Sequence, residues 1–304
     1  MANPVFGTPS PTPSPAPTEK PSISAEINTA TRKQHAELNR LIVERLFLAL
    51  PPHTHTPHFY GIGLAAFTQL FIAFESVFAD LESDVAIHEK AGYDGQVRAW
   101  LGRLRPKGLL REDRLRDDQS HVRDVTRKDI STHERSITEV VMPLRARLEA
   151  KPHLLIAYAW VLYMAIFSGG RWIREQLGNA GPGFWLQSDD IPPPHLDRVD
   201  RKAVYTELPG FSFLSFDGTE DGEDIKREFK SRLAQAETLL TDDERHEVVD
   251  AAQQLFGRCI AMIGELDREV ERLKTPPLHK ALLALVFFGL LTAFGIYRVF
   301  YLGK

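Results

Sequence analysis

The residue that most invites chemistry is His35, in the run Ala30-Thr-Arg-Lys-Gln-His35-Ala-Glu-Leu-Asn39. On a helix, Thr31, Leu38 and Ile42 fall on its side, at spacings of four, three and seven. A lone histidine on such a stripe is usually a core residue bonded to a backbone carbonyl. A neutral imidazole in an apolar pocket is also a common ligand for iron. Spacing alone leaves both readings open. The second feature is Ser168-Gly169-Gly170, at the end of the apolar run that starts at Leu154. A glycine inside a helix costs about 1 kcal/mol relative to alanine, so a pair needs a reason. Either a flat ligand approaches the backbone there, or another helix crosses closely. His53, His55 and His58 crowd one loop, but without carboxylate or thiolate beside them a solvated turn is the stronger reading. The single cysteine, Cys259, excludes a disulfide framework and a cysteine-rich zinc site, and fits a reducing compartment.

These residues need helices to position them. Residues 1–22 are dominated by proline, serine and threonine and read as a disordered leader. From Ile23 the texture changes: Ile27, Ala30, Leu38, Leu41, Ile42 and Leu46 recur at helical spacing, with Ser24 as N-cap and Pro51-Pro52 as the stop. A helix apolar on most faces follows from Phe59 to Leu81, and a second from Leu154 to Leu177. Between them, residues 98–135 alternate in charge and read as a solvated helix or loop. Gly178 to Pro194 reads as a turn region. Residues 222–273 form two amphipathic helices broken near Thr241-Asp242-Asp243, where Thr241 can cap the second. No strand alternation and no repeat is visible, so the expected fold is all-α, with one multi-helical domain over 23–273. The 37 basic and 41 acidic residues give a net charge of −4, with no basic stripe of the kind nucleic acid requires.

The C-terminal stretch Ala281–Tyr297 is 17 residues without a charge. It covers about 25 Å as a helix, slightly short of a bilayer core of about 30 Å. Val299 to Leu302 extend it if Arg298 snorkels, and Tyr297 and Tyr301 suit the interface. A buried core helix is the alternative, but the run is apolar on all faces and follows Pro276-Pro277. Arg268, Arg272, Lys274 and Lys280 precede it, which by the positive-inside tendency keeps the large domain in the cytosol. The expectation is a transmembrane tail anchor over 278–302, in the endoplasmic reticulum membrane by default.

The motifs TRKQHAELN and LYMAIFSGGR resemble the proximal and distal helix motifs of the heme oxygenases. The resemblance runs in order from about Ile23 to Leu273. It takes in Leu70-Phe-Ile-Ala-Phe-Glu75, Gly210-Phe-Ser-Phe-Leu-Ser-Phe216 and Ile225-Lys-Arg-Glu-Phe-Lys-Ser-Arg-Leu233, and the anchor matches the membrane-bound members. It implies an all-helical fold with heme b, both substrate and prosthetic group, held between two helices. It implies His35 as the iron ligand, Arg32, Trp160, Tyr163, Lys226 and Lys230 as cofactor contacts, and Ser168, Gly169 and Gly170 as the distal wall. Three places depart from the family pattern, the first being Trp160, which stands where many members have a tyrosine that reaches a propionate. Asn28 stands at a basic position, and Ala165-Ile166 stand where the family has a glycine–aspartate pair that orders distal water. Ile166 can neither donate nor accept a hydrogen bond. The implied reaction opens heme to biliverdin, iron and carbon monoxide, with electrons from an external, membrane-bound NADPH-dependent reductase. The alternatives are a heme-binding or heme-sensing membrane protein that has lost turnover, and a tail-anchored scaffold in which His35 is structural.

Overall fold

The computed structural model describes residues 20–128, 142–186 and 208–274. Helix α1 (Ile23–Leu48) is capped by Ser22, whose hydroxyl accepts from the Ala25 N–H at 3.3 Å. The expected cap, Ser24, instead lies inside the first turn, its hydroxyl 3.0 Å from that of Ser22. Helix α2 (His58–Ser83) follows, then the one-turn α3 (Val85–His88), α4 (Gly92–Leu101), α5 (Glu112–Thr126) and α6 (142–150). Helix α7 runs unbroken over Pro152–Asn179. It opens with a tight 3-10 turn and widens into a π-helical stretch at Ala159–Tyr163. The short α8 (Pro182–Trp185), then α9 (Glu223–Ala234) and α10 (Asp242–Lys274), complete the described chain. Among the described residues there is no strand, as the sequence pattern predicts.

Helices α2 and α7 form the interior. Every residue from Leu154 to Tyr163 is buried, beside Phe74 and Phe78 of α2. This explains why both helices are long and apolar enough to cross a bilayer by composition: their apolar faces are spent on the core. Helix α1 lies along α10 and runs in the same direction. Glu26 pairs with Arg245 at 2.8 Å, Gln34 donates to the Gln253 carbonyl at 3.2 Å, and Arg45 pairs with Asp267 at 2.9 Å. The start of α10 is a capping box, as expected at Thr241: the Glu244 N–H donates to the Thr241 hydroxyl, and the Thr241 N–H to the Glu244 carboxylate.

The charge-rich stretch before and within α5 is not simply solvated. Arg111 is fully buried, and Asp118 and Leu115 nearly so. The alternating charges conceal an inward face, because Arg111, Leu115, Asp118 and Val122 recur at helical spacing. The anchor over 278–302, the leader up to residue 19, and the stretches 129–135 and 187–194 lie outside the described residues.

Candidate functional site

The faces of α1 and α7 that carry the two motifs are pinned together at both ends. At one end the Trp160 indole N–H donates to the Asn28 side-chain oxygen at 2.9 Å. At the other, Phe47 and Trp172 meet edge to face, ring centroids 6.1 Å apart. Between the pins lie His35 on α1 and Ala165, Ser168 and Gly169 on α7, and none of these four is buried. Among the described residues α1 packs chiefly on α10 rather than on the Met164–Asn179 half of α7. Between the pins both helices are thus left open to solvent, and these open faces, His35 on α1 and Ala165, Ser168 and Gly169 on α7, bound the slot.

The structure separates the two glycines. A Cβ built on Gly169 meets nothing within 4 Å, whereas one on Gly170 meets Leu214 at 3.4 Å and Ile166 at 3.5 Å. No helix crossing among the described residues therefore requires Gly169. A ligand approaching the backbone does give it a reason. The π-helical stretch sits just before this segment. One extra residue per turn there rotates everything from Met164 onward relative to the buried Leu155–Tyr158 turn, and π stretches of this kind recur at functional sites. Ala165 and Ser168 consequently face outward, while Ile166 and Phe167 face the core.

His35 is braced from behind. Its ring and that of Phe256 on α10 meet edge to face, with centroids 5.9 Å apart and planes at 73°. Next to it, Gln34 donates to the Gln253 carbonyl and Gln253 donates back to the Ala30 carbonyl, locking the register of α1 on α10. His35 is therefore exposed rather than a core histidine. Arg32, one turn before it, is exposed as well.

The basic helix α9 reaches the Asn28–Trp160 end. Lys230 places its ammonium 5.9 Å from the Trp160 ring centre, within cation–π range, and Phe229 stacks on the same indole. Lys226 is half-buried and pairs with Glu223 at 3.4 Å. Three ion pairs lash α9 and the residues just before it to α7: Arg174 meets Asp221 in a fork, and Arg171 meets Asp221 at 3.2 Å and Glu223 at 2.6 Å. Asn28 does more than leave a charge missing, since its side-chain oxygen accepts from Trp160 and pins this end of the two helices.

Tyr163 does not join this set. It is fully buried, and its hydroxyl donates to Glu75 at 2.8 Å. The widened turn directs it into the core, so its expected cofactor contact gives way to a structural one. Glu75 also accepts from the Arg111 and Glu112 N–H groups, at 3.0 and 2.8 Å, which stops the start of α5. Burial raises its pKa, opposed by Tyr163 and the nearby Arg105. Arg111 donates to the carbonyls of Gly108, Phe213 and Ser215 and lies 4.3 Å from the Phe216 ring centre. Asp118 accepts from the Ser212 and Phe213 N–H groups. This network holds the 210–216 segment, whose Leu214 lies against Gly170 and whose Phe216 stacks on Phe167 at 5.0 Å. The sequence signal for it was the i, i+4, i+7, i+11 spacing inside a stretch that charge alone assigns to solvent.

A cleft of about 1010 Å³ lies elsewhere, between α4 and α9, lined by Trp100, Arg103, Arg105 and Arg232. Its arginines are paired with Glu89, Glu82 and Glu228. It lacks the exposed imidazole and bare backbone that distinguish the slot.

Residues 21–265 match the heme oxygenase family model. The chain belongs to the heme oxygenase family. A curated relative, the heme-binding protein HMX1 of Saccharomyces cerevisiae, is 22% identical over 269 residues, covering 86% of this chain and 79% of that protein. The fold is shared with heme oxygenase 2 of Chlamydomonas reinhardtii, solved without heme. That match has a TM-score of 0.57 and 18% identity, and covers 80% of this chain and 97% of the other. It is shared also with heme oxygenase-1 of the cyanobacterium Synechocystis in complex with heme, at TM-score 0.53 and 19% identity, covering 88% and 99%. The all-helical heme oxygenase fold expected from the two motifs is therefore the fold of this chain.

Proposed function

We propose that this chain binds heme in the slot between α1 and α7, with His35 as the iron ligand, and opens the ring to biliverdin, iron and carbon monoxide. The observation that carries the reading is the unfilled space at Gly169 on a wall that shares its slot with an exposed, braced imidazole. The residues present fit the group. An imidazole stands on one helix, a backbone free of side chain on the other, and two lysines, Lys226 and Lys230, at one end suit its anionic edge. Arg32 adds a third cation on α1.

The porphyrin iron supplies the oxygen chemistry, with electrons from an external NADPH-dependent reductase, so the protein's part is to ligate, orient and shield. Phe256 and the Gln34–Gln253 pair hold His35 in place. Lys230, steadied over Trp160, and Lys226 would hold the anionic edge of the group by charge. Ser168 offers the one hydroxyl among Ala165, Ser168 and Gly169, the exposed part of the distal wall. Phe167 and Ile166 back this wall with apolar surface that excludes water.

Ile166 favours a second reading, heme binding without turnover. It is an apolar, buried side chain at the position where the family resemblance places an aspartate. The distal wall then has no carboxylate to order water, and the name of the yeast relative describes binding alone. We further propose that residues 278–302 anchor the chain in a membrane, by default that of the endoplasmic reticulum, with the domain on the cytosolic side beside its reductase.

Optical titration of the full chain in detergent with hemin tests the site. A Soret band saturating at one hemin per chain, and shifted or lost in His35→Ala, is expected. Absence of binding would leave only a helical scaffold. Incubation of the loaded protein with reductase, NADPH and oxygen then separates the two readings. Bile pigment is expected from an oxygenase, and a steady heme spectrum would sink the enzymatic claim in favour of the binder.

A further inference from the structure

Four large hydrophobic side chains stand exposed on α1, α7 and α10 toward their C-terminal ends: Phe47 at 46%, Leu48 at 57%, Trp172 at 39% and Leu273 at 51%. These three helices run together. Arg45 pairs with Asp267, which brings the end of α1 beside the last turns of α10, and Phe47 meets Trp172. Phe59 and Leu266 pack on the same small cluster, so α2 begins there as well. From Asp267 to Lys274 the helix advances only about 10 Å. The four side chains therefore share one end of the bundle, the end at which the described part of α10 finishes.

The uncharged stretch Ala281–Tyr297 begins seven positions beyond Lys274. Seven residues reach at most about 25 Å even when fully extended. Given the anchoring proposed above, on which this inference rests, the apolar end of the bundle cannot stand far from the lipid surface. Clustered apolar side chains left in water beside a bilayer lose free energy by entering it, and aromatic rings are favoured at the headgroup level. We propose that this end of the domain seats on the lipid bilayer, with Phe47, Leu48, Trp172 and Leu273 in contact with lipid. The Phe47–Trp172 pin closes one end of the slot, so seating turns that end toward the membrane. The Lys226–Lys230 end points away, toward the aqueous side.

The chain carries its own reporter. Of its four tryptophans, Trp100, Trp160 and Trp185 are buried, and only Trp172 is exposed. The full chain is reconstituted into phosphatidylcholine vesicles with or without brominated acyl chains. Vesicle flotation reads anchoring, and tryptophan quenching reads contact. Expected are co-flotation and quenching by brominated lipid, abolished in Trp172→Phe and at least halved in Phe47→Ser/Leu48→Ser with flotation unchanged. Protein that does not float overturns the anchor and the seating with it. Protein that floats without quenching overturns the seating alone and leaves the apolar end to a protein partner. Quenching that persists in Trp172→Phe also overturns it, because a different face then meets the lipid. Circular dichroism of each variant confirms that it is folded.

Discussion

Replacing Gly169 with alanine separates a ligand-facing glycine from a packing glycine. Gly169 lies inside α7, and an alanine Cβ there meets no atom within 4 Å. The folded chain thus gains helix propensity without a clash. Alanine is favoured over glycine in a helix interior by about 0.8–1.0 kcal/mol, which for a domain of this size raises Tm by about 2–4 °C. The same methyl protrudes into the slot and holds a flat ligand off the backbone, so hemin affinity should fall about tenfold, or about 1.4 kcal/mol. The two effects have opposite signs. Differential scanning calorimetry of the apo chain reads the first and hemin titration the second. Gly170→Ala is the control: its Cβ packs on Leu214 and Ile166 at ordinary contact distance, so hemin affinity should stay near wild type. A lower Tm for Gly169→Ala would mean that a close crossing, not a ligand, requires the glycine. A higher Tm with unchanged hemin affinity would place the ligand elsewhere. Either result refutes the slot.

Tyr163→Phe removes the hydrogen bond to Glu75 from the core; it should cost about 1–3 kcal/mol of stability in urea unfolding and leave hemin affinity unchanged, whereas weakened binding would return Tyr163 to the cofactor. Arg111→Met strands the carbonyls of Gly108, Phe213 and Ser215; a loss of about 1–3 kcal/mol for each acceptor left buried is expected, and a stability near wild type would show that the 210–216 segment holds itself. The Arg171 guanidinium beside Glu223 holds that carboxyl below its usual value of 4.5. Its contribution is therefore present above pH 4.5 and is lost as the pH falls through the lower folded value. The Tm gap between wild type and Glu223→Gln should accordingly close on acidification, and a gap that widens would reverse the sign of the pair.

His35 shows where sequence reasoning stops. Spacing placed it on the stripe of Thr31, Leu38 and Ile42, which is the pattern of a core residue. Thr31 and Leu38 are indeed buried, yet His35 between them is exposed, because the face of α1 at its position has no protein neighbour across the slot. A helical stripe records direction, not whether a partner helix stands opposite. The charged stretch around α5 failed in the other direction. Charge alternation suggests solvent, but Arg111 and Asp118 are buried because backbone groups of another segment satisfy them.

The sequence by itself determined the local elements: the helical periods of α1, α2 and α7, the break and cap before α10, the absence of strand patterning, and the two motifs whose order points to the heme oxygenase family. Those are short-range properties, set by side-chain spacing, propensity and capping within a few turns. Only the tertiary structure decided which glycine faces open space, that Tyr163 turns inward to Glu75, that Asn28 pins Trp160, and that Phe47, Leu48, Trp172 and Leu273 gather at one end. Each of these depends on residues far apart in the chain meeting across helices. The rotation introduced by one widened turn at Ala159–Tyr163 leaves no mark in hydrophobic periodicity when every face of that turn is buried.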